Sequence, residues 1–434
     1  MNTLLTTHPA RRRTELGLVF LAVVLTGGLY ALAGLGKAGN LPANIGPFLA
    51  MVFGLLLVAH VAVRRLAPHA DPILLPTAGL LNGMGYVFIA RLSSHQAALQ
   101  AVWTLVAIAA FVLTLLIVRH ARDLERYRYT FAFFGIGLLL LPLVPHLGVN
   151  VNGARLWVHL GPLNFQPGEL AKLALAVFFA SVMVERAEVL SSGTRRIGRF
   201  LVLDPKYLAP ILVAWGVSLL IFLAENDLGS SFLFFALFIA MLWIATGRAY
   251  YLGLGAGLFA FGAVLALKVI GHAHSRVQSW LDPWRHAAGS GYQIIQGLFA
   301  IAAGGIFGEG PGQSNVAHLP ENSTDFMFAV IADELGLIGA TALLIAYLLM
   351  VGTGLRIAAR CDRPFEKLLA AGLSVVLGVQ VFVIIGGVTR LIPLTGITLP
   401  FVSYGGSSLV ANYILLALLV RISSDTETVP VAPQ

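Results

Sequence analysis

The chain has 434 residues, of which 58% are hydrophobic and only 11% charged, a balance that excludes a soluble globular domain and marks a polytopic membrane protein. A formal charge of +8 would suggest nucleic acid in a soluble chain, but in a membrane protein an excess of Arg and Lys serves topology and lipid contact, so nucleic acid is excluded as a partner. A single cysteine, Cys361, rules out intrachain disulfides and multi-cysteine metal sites.

Apolar stretches of roughly 17 to 25 residues recur about twelve times, which predicts an all-α bundle of about twelve transmembrane helices. They fall at 16–36, 46–63, 72–90, 101–118, 129–147, 166–185, 207–224, 228–246, 250–270, 325–351, 368–389 and 404–422. Residues 1–15 are then a cytoplasmic N-terminal segment, 16–422 one multi-span membrane domain, and 423–434 a polar cytoplasmic tail. Three arginines precede the first span as in a signal peptide, but no small-residue cleavage site leads into a soluble domain, so the first helix is expected to be retained. Between the seventh and eighth spans only Glu225-Asn-Asp227 turns the chain.

Loop charge tests this count. Alternate loops carry Arg11 to Arg13; Arg64 and Arg65; Arg119, Arg122, Arg126 and Arg128; Arg186, Arg195, Arg196, Arg199 and Lys206; Arg248; Arg356, Arg360, Arg363 and Lys367; and Arg421, most of the 28 basic residues. By the positive-inside rule both termini are cytoplasmic, in a plasma membrane protein. Two segments on the opposite, extracytoplasmic side hold the remaining polar material: 148–165, running into Gln166-Pro-Gly-Glu-Leu-Ala-Lys172, and a large loop at about 271–324. The second is too rich in aromatic and apolar residues (Trp280, Trp284, Tyr292, Phe299, Phe307) to be disordered and is expected to pack onto the membrane domain.

Four groups of residues can carry chemistry, each beside a structural alternative. Asp325, at the outer edge of the tenth span, is an acid where an unpaired charge costs several kcal/mol; the alternative is a carboxylate complementing the dipole of a helix capped by Ser323 or Thr324. Glu169 and Lys172 are three apart, so they form either an intrahelical ion pair or part of a site, while Arg155 beside Trp157 is either an interfacial anchor or a ligand contact. His272, His274, His286 and Asp282 match no zinc spacing and are read as solvated or packing residues. Gly304-Gly-Ile-Phe-Gly-Glu-Gly-Pro-Gly312 lacks the Lys-Ser/Thr of a P-loop and reads as backbone turns.

The outer set is thus one acid, several cations (Arg155, Lys172, with Arg276, Arg285 and Arg390 as further candidates) and aromatics suited to sugar or lipid. That fits transfer chemistry on an anionic lipid-linked sugar better than ion conduction, which needs a chain of intramembrane acids. Such a reaction requires one base for the attacking hydroxyl and positive charge for the departing pyrophosphate. On a helix, Asp333 lies about 12 Å beyond Asp325 and Glu334 on the opposite face. A retaining mechanism needs carboxyls roughly 5 Å apart, so a lone base and inversion are expected.

Several segments together resemble the SEDS family (shape, elongation, division and sporulation), the RodA and FtsW peptidoglycan glycosyltransferases. They are Gly153-Ala-Arg-Leu-Trp157, Phe165-Gln-Pro-Gly-Glu-Leu-Ala-Lys172, Asp227-Leu-Gly229, Leu281-Asp-Pro283 with Gly291-Tyr-Gln293, Gly304-Gly-Ile-Phe-Gly308, Leu319-Pro320 through Thr324-Asp-Phe326, and Pro400 through Ser403-Tyr-Gly-Gly-Ser407. They follow family order over about 72–422.

The resemblance implies a ten-helix core plus two extra N-terminal helices, similar to actinobacterial RodA proteins. It implies polymerisation of lipid II into glycan strands during elongation and shape maintenance, with a division-type, FtsW-like polymerase as the alternative. It also implies a class B penicillin-binding protein as partner, alongside membrane lipids. The family's essential aspartate falls on Asp325, and substrate contact on Arg155, Gln166, Glu169, Lys172, Tyr292, Gln293, Thr324 and Ser403, with a divalent cation (Mg2+ or Mn2+) as an optional cofactor. Gly168 replaces the family's serine and Glu225-Asn226 its Gln-Pro, so no hydroxyl at position 168 is essential here. The rival functions are transport of lipid II or another lipid-linked sugar, a ligase for a different polyprenyl-linked glycan, and a structural role recruiting a cell-wall partner.

Overall fold

In hydrocarbon every backbone N–H and C=O must be satisfied within the segment, so long apolar runs can only become helices. The computed structural model of the protein describes residues 7–151, 154–160, 163–191, 195–197, 200–202, 213, 216, 219–220, 224, 227–269 and 271–427. The described helices are α1 (Thr7–Ala38), α2 (Ile45–Leu66), α3 (Leu74–Leu92), α4 (Ser94–Ile117), α5 (Arg128–Leu140), α6 (Pro167–Glu185), α7 (Ala187–Ser191), α8 (Leu228–Thr246), α9 (Tyr250–Val269), α10 (Gly271–Leu281), α11 (Tyr292–Gly304), α12 (Met327–Arg360), α13 (Pro364–Val388) and α14 (Gly406–Glu427). Eight helices among the described residues are long and apolar enough to cross a membrane. Every predicted span except the seventh coincides with a helix; the seventh, 207–224, lies largely outside the described residues, as do Glu225 and Asn226.

The chain divides into two compact units. The first comprises Met1–Arg119, His274–Thr353 and Gln380–Gln434. In it α3 offers a small-residue face, where a side chain at Gly83 would strike Thr26 of α1 and one at Gly79 would strike Leu56 of α2. This is the close-approach packing that membrane helices use in place of hydrophobic burial. Its most enclosed helix, α14, meets α4 where Gly406 lies against the Trp103 ring, and Arg421 donates to the carbonyls of Leu115 and Leu66 at 2.7 and 2.6 Å. Five residues beyond the expected end of the last span remain helical, because Ser423 and Ser424 are buried and accept the backbone N–H groups of Asp71 and His69.

The second unit comprises His120–Ala273 and Gly354–Val379. Its helix α6 packs Phe179 against Phe234 and Phe238 of α8, each at 5.5 Å between ring centroids. The predicted fifth span stops at Leu140, since Pro142 in the following 3-10 turn cannot continue it. Within 148–165, β1 (Gly148–Val151), β2 (Ala154–Leu160) and β3 (Leu163–Phe165) form an antiparallel sheet, which the all-α expectation did not include. A signal for it exists: Asn152-Gly153, between the paired Val151 and Ala154, is the sequence two-residue hairpins prefer.

Candidate active site

Asp325 lies in a turn, two residues before α12 begins, and not in the helix's first turn as the dipole alternative required. Glu321 starts this turn with φ of +51°, unusual for a side chain other than glycine. Its carbonyl accepts the N–H groups of Thr324 and Phe326 at 3.2 and 3.1 Å, and its carboxylate accepts the Thr324 hydroxyl at 2.8 Å. From the other side, the Ser403 hydroxyl donates to the Thr324 carbonyl at 2.5 Å and the Tyr404 N–H to the Ser323 carbonyl at 2.8 Å. Ser403 is itself held by the Leu399 N–H at 3.1 Å, and Tyr347 donates to the Pro400 carbonyl at 2.6 Å. Phe326 is buried against Gly297 of α11. The backbone on both sides of Asp325 is therefore fixed.

Its carboxylate, by contrast, accepts no hydrogen bond from any described residue. Asp325 is crowded by protein yet only half-buried, with part of its surface exposed. Burial, with help from the negative charge of Glu321, pushes its pKa up to about 7, against the opposing pull of the Arg276 guanidinium. Gly396, with φ of +78°, forms the wall between the two: a side chain there would begin 3.5 Å from Arg276 Nη2 and 3.7 Å from Asp325 Oδ2.

Of the other candidate cations, Arg390 is used structurally, donating to the carbonyls of Trp280 and Leu281, and Arg285 pairs with Asp282 at 2.9 Å. His286 is exposed and His274 contacts Gln278, in keeping with the solvated or packing reading; the side chain of His272 lies outside the described residues. Tyr292 is exposed and donates to the His318 carbonyl at 3.4 Å, and Gln293 is half-buried.

The glycine segment does form turns. Glu309 and Gly310 donate to the carbonyls of Asp333 and Glu334 at 2.9 and 3.0 Å, and Leu337 and Ile338 return bonds to Gly305 and Ile306 at 2.9 and 3.2 Å. This pairing interrupts α12 at Gly336, whose φ of +65° and ψ of −167° suit glycine alone. Glu334 is fully buried, paired with Arg91 of α3 and bonded by the Gly312 N–H at 2.6 Å. Neither Asp333 nor Glu334 is a second free carboxylate: both are inside this clamp.

In the second unit, Gln166 occupies the N-cap position of α6 without a side-chain cap, and Pro167 takes the first turn, where its missing N–H costs nothing. One turn on, Glu169 and Lys172 form an ion pair at 2.7 Å, each less than a tenth exposed. Desolvating both charges offsets the attraction, so the pair is weak evidence of stabilisation and better evidence of a charged role. Arg155 is exposed on β2, two residues from Trp157; Gly153 lies outside the described residues.

No three His, Cys, Asp or Glu side chains among the described residues cluster as metal donors. Glu169 is already paired with Lys172. These side chains do not form a preformed metal centre.

Glu321, Arg276 and Gly396 complete the surroundings of Asp325. Arg276 was legible as one of several cations, but its selection over Arg285 and Arg390 was not, and neither glutamate nor glycine carried a sequence signal.

Residues 72–428 match the FtsW, RodA and SpoVE family, described as cell cycle protein. The chain is 42% identical over 426 residues to the peptidoglycan glycosyltransferase RodA of Mycobacterium tuberculosis, covering 96% of this chain and 91% of that protein. Among solved structures, it resembles a chain from a study of "structural coordination of polymerization and crosslinking by a peptidoglycan synthase complex", with a TM-score of 0.58, 28% identity and coverage of 88% of this chain and 98% of the other. A variant of the Thermus thermophilus rod shape determining protein RodA gives a TM-score of 0.50 at 28% identity, covering 87% and 97%. With its series of apolar helices and this match across most of its length, the chain is a multi-pass membrane protein and belongs to the FtsW/RodA/SpoVE family.

Proposed function

We propose that this protein is a peptidoglycan glycosyltransferase that polymerises lipid II into glycan strands at the extracytoplasmic face of the plasma membrane, with Asp325 as general base. The carrying observation is the carboxylate of a half-buried residue held by a fixed turn, with its pKa pushed up to about 7 and no described hydrogen-bond donor of its own. Such a group is poised to take a proton near neutral pH. The similarity to a mycobacterial peptidoglycan glycosyltransferase and to a chain of a peptidoglycan synthase complex supports the choice of reaction.

In the reaction the ionised Asp325 accepts the proton of the acceptor sugar's 4-hydroxyl as that oxygen attacks the donor's anomeric carbon. The bond to the pyrophosphate breaks and the anomeric configuration inverts. Asp333 and Glu334 are buried, Glu334 is paired with Arg91, and the Glu321 carboxylate is taken up by the Thr324 hydroxyl, so none of the three offers the covalent intermediate of a retaining enzyme. Within the second unit, Arg155 and Lys172, the latter oriented by Glu169, offer positive charge suited to a pyrophosphate. Ser403 acts through the Thr324 carbonyl as a positioning residue. A divalent cation, where the reaction uses one, would add positive charge to the departing pyrophosphate. Both termini are cytoplasmic, and the partner is a class B penicillin-binding protein.

The test is glycan synthesis from purified lipid II by the detergent-solubilised protein. Wild type makes polymer and Asp325→Asn makes none while keeping its thermal midpoint; normal polymer from the variant would overturn the assignment. Polymer formed without two compartments also separates a polymerase from a transporter. A chelator arm tests the cation, which is discarded if the rate is unchanged.

A further inference from the structure

The Arg276 side chain is anchored on one side only. Its Nη1 donates to the carbonyls of Thr395 and Leu394 at 2.8 and 3.5 Å, while no described residue accepts from Nη2 or Nε. Nη2 and the Asp325 Oδ2 both lie within 3.7 Å of the point where a Gly396 side chain would begin, so about 7 Å is the most that separates them. They nevertheless form no ion pair. A guanidinium and a carboxylate held this close without touching leave unused the strongest contact each can make.

Both groups border the space beside Gly396, where the carboxylate can accept from a hydroxyl and the guanidinium can donate to an oxyanion. The wall of that space is glycine. A methyl at 396 would meet both groups at van der Waals distance and occupy the space between them, besides being strained at φ of +78°.

We propose that Arg276, fixed by the 394–395 carbonyls and bared by Gly396, is an anion subsite that binds a phosphate oxygen of the pyrophosphate group next to the base. This rests on the reading of Asp325 as the base. The fork of Nη2 and Nε matches the geometry of a phosphate, which a lysine ammonium cannot reproduce. In the reaction Arg276 takes up negative charge as the sugar–pyrophosphate bond breaks and moves no proton itself.

The test uses full-length Asp325→Asn protein in detergent, which cannot turn over, titrated with a polyprenyl pyrophosphate, inorganic pyrophosphate and the uncharged polyprenol. Asp325→Asn alone binds the polyprenyl pyrophosphate. Adding Arg276→Gln weakens that binding about tenfold or more, Arg276→Lys is intermediate, and polyprenol binding is unchanged. Competition by inorganic pyrophosphate that disappears with Arg276→Gln assigns the contact to the phosphate rather than the lipid chain. Unchanged affinity with Arg276→Gln, or equal weakening toward the polyprenol, overturns the subsite.

In otherwise wild-type protein, Arg276→Gln also moves the acidic limb of the rate profile to higher pH, because the cation that lowers the Asp325 pKa is gone. The charged groups acting on Asp325 are Arg276 from α10 and Glu321 from its own turn, and Glu321 is untouched in this variant. If Asp325→Asn polymerises normally, the functional reading falls. If Asp325→Asn is inactive but Arg276→Gln binds pyrophosphate like its parent, only the subsite falls.

Discussion

Asp325 serves as a base only while ionised, and burial holds its pKa at about 7, so the polymerisation rate should rise with pH through neutrality. The sign of each neighbour's effect is fixed by its charge. Glu321 raises the pKa, and Glu321→Gln should therefore lower it, moving the acidic limb of the rate profile toward lower pH and increasing the rate at pH 6 relative to that at pH 8. A pH–rate profile measured at saturating substrate checks this; a shift toward higher pH would show that the glutamate acts through the turn geometry instead. That check matters because Glu321 also accepts the Thr324 hydroxyl and two backbone N–H groups.

The turn is only as well placed as the elements that hold it. Residues 305–310 pair with 333–338, so the chain between them, Asp325 included, is a loop closed at its base. Gly336 makes the closure possible, and a side chain there would overlap Gly308 and Ile306 backbone atoms. Gly336→Ala is expected to cost about 1–3 kcal/mol from the strained dihedral, with the backbone overlap in addition, and to lose most polymerisation. Gly352→Ala, on the same helix but facing open space, should be neutral. Thermal midpoints and glycan gels of the two variants decide it, and equal tolerance of both would mean that the interruption of α12 does not matter.

Within the first unit, one contact ties a distant helix to this clamp: Arg91 of α3 pairs with Glu334, both largely or wholly buried. Breaking such a pair leaves one buried charge without its partner, so Arg91→Gln or Glu334→Gln alone should destabilise by about 3–5 kcal/mol. The double variant should cost less than either single one. Chemical or thermal unfolding of the three proteins measures the coupling; additive losses would show that the two side chains act independently.

The amino-acid sequence determined the class of protein and nearly every helix, because hydrocarbon admits few backbone solutions and a charge-free apolar run declares itself without knowledge of its neighbours. It also singled out Asp325, since an acid at a span boundary is rare enough to stand out in a chain with 20 acidic residues. The sheet at 148–165 was missed because its strands are three to seven residues long and offer no extended periodicity, although Asn152-Gly153 was there to be read. What tertiary structure alone decided was the company Asp325 keeps. Arg276 and Gly396 lie far from it along the chain and were two among many cations and glycines; only the folding of residues 394–396 against α10 brings them to the carboxylate. The acid's position is a property of local sequence, whereas its proton affinity depends on burial and on charges contributed by remote segments.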